Sequence, residues 1–370
     1  MKMVFYILYI LRKIHLDNSY IFKHIYNLFI SMNNIRINNI TKLISPINLI
    51  NKYSITDDDK TFIQNARNNI VNILNKKIDK KLIIVGPCSI HDIKSAKEYC
   101  LFLKEEQKKY KNLYLVMRCY FEKPRTTIGW KGLIYDPLLD NTHNINLGLE
   151  LARELLIFCI KNKVATSTEF VDSIVPQYIA DLICWSAIGA RTTSSQVHRQ
   201  LASGLSMPVG FKNDINGNID IAIDSIISAN NEHSFMGINE YGVSSIVSTT
   251  GNNDCHIILR GGNNKPNYYE QDIFYTTCKL GNKKLNQSVV VDFSHGNSLK
   301  LHKKQIEVCI NICNQLKTNN NIVGVMIESN LVEGNQKVSD NMIYGKSITD
   351  SCLNLDDTIY IFTMLDKYNK

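Results

Sequence analysis

Four residues able to ligate a transition metal, Cys88, His295, Glu328 and Asp350, are scattered through a chain of 370 residues. Singly, each has a plain structural reading as a core thiol, a hydrogen-bonded histidine or a rim carboxylate. Together they form a mixed-donor set that suits Mn²⁺, Fe²⁺, Co²⁺ or Zn²⁺ without selecting among them. A second group is cationic: Arg118, Lys123, Arg125, Arg191, Lys212 and Arg260 stand at or just past the ends of successive apolar runs. Six such charges at one place would repel unless anions bind among them. Guanidinium forks match carboxylate and phosphate oxygens in pairs. A divalent ion beside such a cluster implies polarisation of a carbonyl in a substrate carrying several negative charges.

These residues meet only if the intervening elements bring them to one end of a common sheet. From residue 82 onward, short β-rich runs alternate with helix-length amphipathic segments. The runs are Leu82–Gly86, Leu113–Arg118, Ala165–Glu169, Ser186–Arg191, Pro208–Lys212, His256–Arg260, Val289–Asp292 and Val323–Glu328. Near-continuous apolar strands, each followed by a helix, indicate a parallel sheet covered on both faces. Eight such units predict an α/β (β/α)8 TIM barrel, whose active site gathers where strands end and loops begin. Phe235–Thr250 breaks the rhythm, with alternating residues around Gly242, and reads as a β-hairpin inserted before the sixth strand. No GxGxxG follows the first strand and no GxxxxGK[ST] occurs, which weakens dinucleotide and P-loop readings.

Composition narrows the classes. Hydrophobic residues make up 44% and charged residues 21%, enough for a large core, which excludes wholesale disorder. No apolar run reaches the ~18–20 residues of a membrane-spanning helix. Lys and Arg exceed Asp and Glu by 42 to 34, but the excess is spread out and lacks the clustered aromatic platforms of a nucleic-acid binder. Ten cysteines show no CxxC and no paired framework, and several lie in apolar segments. Reduced, buried thiols and a cytoplasmic setting are expected. Residues 1–32 look foreign to the rest. An apolar stretch from Val4 to Leu11 sits between basic residues without a small-x-small cleavage site, so a disordered tail or an upstream-extended start is expected, with an amphipathic targeting or membrane-surface segment and a secretory signal as alternatives and Met32 an alternative start. Residues 33–370 are read as a single barrel domain including an N-terminal arm.

Several strings carry a family likeness. Gly86-Pro87-Cys88-Ser89-Ile90-His91-Asp92, Lys123-Pro124-Arg125-Thr126-Thr127, Gly189-Ala190-Arg191-Thr192-Thr193, Asp292-Phe293-Ser294-His295-Gly296-Asn297 and Glu333-Gly334-Asn335-Gln336 resemble type I 3-deoxy-D-arabino-heptulosonate 7-phosphate (DAHP) synthases. The likeness runs from about residue 33 to the C-terminus. It implies condensation of phosphoenolpyruvate with erythrose 4-phosphate, the first step of the shikimate pathway, with one divalent metal. Carried over by motif, the metal ligands fall on Cys88, His295, Glu328 and Asp350. The phosphoenolpyruvate contacts fall on Arg118, Lys123, Arg191, Lys212 and Arg260, with Ala190 beside them, and the erythrose-phosphate contacts on Arg125 and Thr126. Lys123 is placed to protonate the developing alkoxide or hold the enolate, and Glu169 to orient the attacking water. Two rivals stand beside this reading. One is 3-deoxy-D-manno-octulosonate 8-phosphate synthase, which takes arabinose 5-phosphate and is disfavoured by Lys123-Pro124-Arg125-Thr126. The other is a catalytically silent barrel kept as a scaffold, disfavoured because every metal-ligand position is retained.

The resemblance also implies a homo-oligomer, dimer or tetramer, assembled through Ile35–Tyr53 and Phe235–Thr250. It further implies feedback inhibition by an aromatic amino acid bound near Asn33, Asn34, Pro176, Gln177, Ser206, Phe235 and Gly237. Gly237 leaves room for a larger or hydroxylated ring, and Asn33 and Asn34 supply amides, so tyrosine is the expected effector, with tryptophan second. A plain subunit interface is the alternative for these positions.

Overall fold

The computed structural model describes residues 34–263 and 265–368. The 1–32 extension, Met32 and Asn33 therefore lie outside the described residues. The chain divides into two units, Met1–Leu43 and Ile44–Lys370. In the described part of the first, the Ile37 N–H bonds to the Asn34 carbonyl at 2.9 Å in a turn, with Asn34 in the left-handed region.

The second unit holds eight parallel strands: β1 (Lys81–Gly86), β2 (Leu113–Arg118), β3 (Ala165–Glu169), β4 (Trp185–Ile188), β5 (Val209–Lys212), β8 (Cys255–Leu259), β9 (Val289–Asp292) and β10 (Ile322–Glu328). They close in the order β1-β10-β9-β8-β5-β4-β3-β2. Nearly every strand residue is buried, as a sheet packed on both sides requires. The expected hairpin is present as β6 (Ser234–Ile238) and β7 (Ser244–Ser248), antiparallel and outside the barrel. The barrel interior is filled by side chains. Trp185 reaches across to Gly210, where a Cβ would lie 2.7 Å from its ring, and its indole N–H donates to His256 Nε2 at 3.2 Å.

Helices cover the outside: α1 (Pro46–Lys52), α2 (Asp57–Leu74), α3 (Ile93–Glu106), α4 (Ile145–Lys161), the short α5 (Pro176–Ile179), α6 (Gln196–Gly204), α7 (Asp220–Ala229), α8 (Glu270–Asn282), α9 (Lys304–Leu316) and α10 (Leu355–Tyr368). Local signals set their ends. Thr56 and Asp59 form a reciprocal capping box that starts α2, and the Asp92 carboxylate accepts the Lys94 and Ser95 N–H groups to start α3. No helix among the described residues is long and apolar enough to cross a membrane. All ten cysteines are free, and nine are buried.

The strand bounds agree with the sequence expectation to within one residue except at the fourth. The fourth strand ends at Ile188, not Arg191, because Gly189–Ser195 turns back on itself, with the Thr192 and Thr193 N–H groups bonded to the Gly189 carbonyl. Arg191 is thus a loop residue at the rim. A small sheet went unforeseen: β11 (Val332–Asn335) pairs in parallel with the two-residue β12 (Lys346–Ser347) and sets the approach of the segment carrying Asp350.

Candidate active site

Strand register assembles the metal-donor group. Gly86 pairs with Glu328 across β1 and β10, so Cys88, two residues past the pair, lies beside that carboxylate. Asp350 arrives on the loop after β12, which is pinned to the first loop by a 2.7 Å bond between Ser89 Oγ and Thr349 Oγ1. The Cys88 sulfur and one carboxylate oxygen each from Glu328 and Asp350 lie within 4.8 Å of one another. His295 stands at the edge of this group, its Nε2 3.7 Å from Glu328 Oε1 and its Nδ1 3.0 Å from Asp292 Oδ2.

The electrostatics of this group call for a cation. Burial and the neighbouring Glu328 charge push the Cys88 thiol up to about 12. Lys123 Nζ donates to Cys88 Sγ at 2.7 Å and lies 3.8 Å from Asp350 Oδ2. Burial works to lower the Lys123 pKa, but Cys88, Asp350 and Glu328 outweigh it and raise it. The Lys123 charge in turn holds Asp350 down to about 2. The buried Cys88 thiol and Glu328 carboxylate with the exposed Asp350 carboxylate beside them fit a divalent ion, because only such a charge turns that thiol into a strong thiolate ligand at neutral pH.

Next to this group is a cavity of about 320 Å³, lined among others by Lys123, Arg125, Thr126, Glu169, Ala190, Arg191, Lys212, Arg260, His295 and Asp350. Arg118 lies beneath, fully buried, 3.3 Å from Glu328 and with its guanidinium over the Tyr120 ring. Arg118 Nη1 and Arg260 Nε are buried without a hydrogen-bond partner in the structure. Burial lowers the Arg260 pKa, the mark of a cation short of counter-charge. Buried donors left open cost free energy, so these two guanidinium groups are suited to an anion at the mouth. At the rim, Arg191 Nε donates to Thr126 Oγ1 at 3.0 Å and ties the β4 loop to the β2 loop.

Four contributions escaped the sequence reading. Gly189 has no side chain because a Cβ there would collide with Glu169 Oε1, so the glycine admits the carboxylate to the mouth. Gly129 lets the Arg125 guanidinium lie against the backbone, where a Cβ would sit 2.7 Å from Nε. Lys300 also lines the cavity, and Asp292 is the buried hub treated below. The motif strings pointed to Asp292 and Gly189 without showing what they touch.

A second, larger cavity of about 730 Å³ opens between α2, α5 and the hairpin. Pro176, Gln177, Ser206, Phe235 and Gly237 all line it, together with Arg67, Leu201, Ile238 and Val247. The structure thus gathers five of the seven expected regulatory positions. Asn34 belongs to the separate first unit.

A closed parallel barrel whose mouth joins buried cations to a group of one thiol and two carboxylates defines an enzyme of multiply anionic substrates that works with a divalent metal. Similarity to known proteins gives the family. Residues 58–363 match the DAHP synthetase I family. The chain is 49% identical over 330 residues to the Phe-sensitive phospho-2-dehydro-3-deoxyheptonate aldolase of Escherichia coli K12, covering 88% of this chain and 93% of that one. It is 47% identical over 323 residues to the Trp-sensitive enzyme of Salmonella typhimurium LT2, covering 86% and 92%. The solved structure of the Francisella tularensis SCHU S4 phospho-2-dehydro-3-deoxyheptonate aldolase superposes with a TM-score of 0.88 at 46% identity, over 90% of this chain and 98% of that one. The chain belongs to the DAHP synthetase I family. It is an aldol-type synthase of the first step of aromatic biosynthesis.

Proposed function

We infer that the mouth residues divide the work of condensing phosphoenolpyruvate with D-erythrose 4-phosphate and water to DAHP and phosphate. The observation that carries this is a pair of buried guanidinium groups with an unpartnered donor each, Arg260 in the cavity wall and Arg118 on Glu328 of the adjoining Cys88, Glu328 and Asp350 group. Arg118, Arg191, Lys212 and Arg260, with Lys123 and the wall at Ala190, bind the carboxylate and phosphate of phosphoenolpyruvate. Arg125 and Thr126 at the rim hold the sugar phosphate. Cys88, His295, Glu328 and Asp350 hold one divalent ion, Mn²⁺, Fe²⁺, Co²⁺ or Zn²⁺. When bound, the ion supplies Lewis-acid polarisation of the aldehyde oxygen.

The enol carbon of phosphoenolpyruvate attacks the aldehyde carbon and forms the new carbon–carbon bond. Lys123, whose ammonium is stabilised by its neighbours, delivers a proton to the developing alkoxide oxygen. Glu169 orients the water that adds to the carbon bearing the former enol phosphate, after which the bond between that carbon and the phosphate oxygen breaks and phosphate leaves. A coupled assay following loss of phosphoenolpyruvate tests the reading. Consumption with erythrose 4-phosphate and little with arabinose 5-phosphate is expected. Equal consumption would favour the octulosonate rival.

The relatives' names include Phe-sensitive and Trp-sensitive enzymes. An aromatic amino acid is accordingly the proposed effector of this chain, bound in the 730 Å³ cavity. Tyrosine is favoured because a Cβ at Gly237 would press on Val247 at 2.9 Å, so the glycine keeps ring space open, while Gln177 and Ser206 offer partners for a hydroxyl or an amino-acid head group. A homo-oligomer, dimer or tetramer, is supported by the exposed apolar hairpin: Met236 is 91% and Ile246 82% exposed. Light scattering at micromolar concentration should exceed the monomer mass. The free, mostly buried thiols support a cytoplasmic setting.

A further inference from the structure

Asp292 ends β9 with a side chain closed to solvent and a fully engaged carboxylate. Its Oδ1 accepts from the Ser294 N–H at 3.0 Å and the Ser294 hydroxyl at 2.6 Å. Its Oδ2 accepts from Lys212 Nζ at 2.9 Å and lies 3.0 Å from His295 Nδ1. Burial works against the charge, but Lys212, His295 and Arg118 overcome it and hold the carboxyl well below the usual carboxylate range.

The two partners of Oδ2 serve different tasks. Lys212 lines the anion cavity, and His295 stands beside the metal-donor group. The partners of His295 also assign its tautomer. Nδ1 faces the carboxylate and, at 2.7 Å, a hydroxyl whose proton is directed to Oδ1, so Nδ1 carries the proton and Nε2 presents a lone pair toward Glu328 and its neighbours. A carboxylate behind a histidine is a recurring way to fix a ligand ring. Here the same oxygen also restrains a substrate-binding ammonium.

We propose that Asp292 is a positioning residue that aims His295 Nε2 at the metal-donor group and divides its charge between His295 and Lys212, so that metal retention and phosphoenolpyruvate binding are coupled through one oxygen atom. This rests on reading Cys88, His295, Glu328 and Asp350 as metal donors. The alternative is a counter-ion that only neutralises Lys212 in the core, which would alter stability and leave metal affinity alone.

The test measures the Co²⁺ dissociation constant, by competition with a chromophoric chelator, and the KM for phosphoenolpyruvate at saturating Co²⁺. It compares the unaltered chain, Asp292→Asn and Lys212→Gln. Asp292→Asn should weaken Co²⁺ by roughly 10–100-fold and raise the KM several-fold even when metal is saturating. Lys212→Gln should tighten Co²⁺ a few-fold without substrate, because the carboxylate charge then serves His295 alone. The proposal is overturned if Asp292→Asn leaves either quantity within twofold of the unaltered chain, or if Lys212→Gln leaves Co²⁺ affinity unchanged. Should Asp292→Asn fail to fold, as judged by its thermal melt, Lys212→Gln decides. An unaltered chain that takes up no Co²⁺ would overturn the metal reading itself, and this inference with it.

Discussion

The barrel mouth and the hairpin-side cavity of this chain are lined by opposite kinds of side chain. The mouth is the smaller, about 320 Å³ against about 730 Å³, and its walls are cations, carboxylates and a thiol edge. The larger cavity has apolar walls from Leu201, Phe235, Ile238 and Val247, with its arginine already committed: Arg67 donates to the Ile183 and Ala180 carbonyls. Two buried guanidinium groups at the mouth keep open donors. Size alone would therefore point to the wrong place for the chemistry. Bond-making among phosphorylated anions requires fixed charge that is already desolvated, whereas selection among aromatic rings requires shape and a few polar contacts.

The largest effect should follow removal of the thiol at the mouth. Cys88→Ser replaces a thiolate donor with a neutral hydroxyl. Its loss of turnover should exceed the roughly 10–100-fold typical of a residue one step removed from a metal. Chelation followed by metal re-addition should abolish and restore activity in the parent chain, and full turnover in excess EDTA would refute metal dependence.

Next comes a cation. Arg260→Ala removes one of the two open donors and should raise the KM for phosphoenolpyruvate by about 30-fold or more, while inhibition through the hairpin-side cavity stays intact. If the KM is unmoved, the open Arg260 nitrogen does not face substrate.

In the other cavity the expected effect is smaller and of a different kind. Gly237→Ser should weaken aromatic amino-acid inhibition about tenfold with kcat unchanged. Tyrosine, tryptophan and phenylalanine assayed side by side identify the effector. Selective inhibition by phenylalanine would reverse the argument from Gly237, and no response to any of the three would make this cavity an interface alone.

The smallest effect belongs to neither cavity and serves as their control. Burial lowers His256 to about 4, and its neutral Nε2 accepts a hydrogen bond from the Trp185 indole N–H. The unfolded chain takes up a proton near pH 6.5 that the folded chain refuses. Stability is thus complete above that value and is lost as pH falls toward about 4. The melting temperature should drop by roughly 2–6 °C between pH 7 and pH 5. His256→Gln, which keeps an acceptor for the indole, should flatten this slope without changing the KM for phosphoenolpyruvate.

Much of this architecture was legible beforehand because parallel strands buried on both sides must be apolar throughout, and that pattern is local. Val289–Asp292 and Ala165–Glu169 match the structure at both ends for this reason. Ser186–Arg191 was read three residues too long. Gly189-Ala190 continues the small, apolar character of the run, while the turn that ends it depends on backbone bonds to the Gly189 carbonyl. The two-residue β12 is too short to leave a periodic signal, yet it sets the approach to Asp350.

For the candidate site, residue types and their order along the chain pointed to the chemistry: which side chains could donate to a metal, which are cations, and that strand ends would carry them to one mouth. What only the tertiary structure decided is which atoms share a partner. Lys123 on Cys88, Glu169 in the space beside Gly189, and Asp292 between Lys212 and His295 join residues 20 to 80 positions apart or on different strands, with one exception in the same loop. Such contacts are set by barrel closure and register, and by distances of a few tenths of an ångström to which periodicity and composition are blind. The same reason explains the hairpin-side cavity: the residue types at Pro176, Ser206 and Phe235 were readable one by one, but the space they enclose exists only once the hairpin folds back toward α2 and α5.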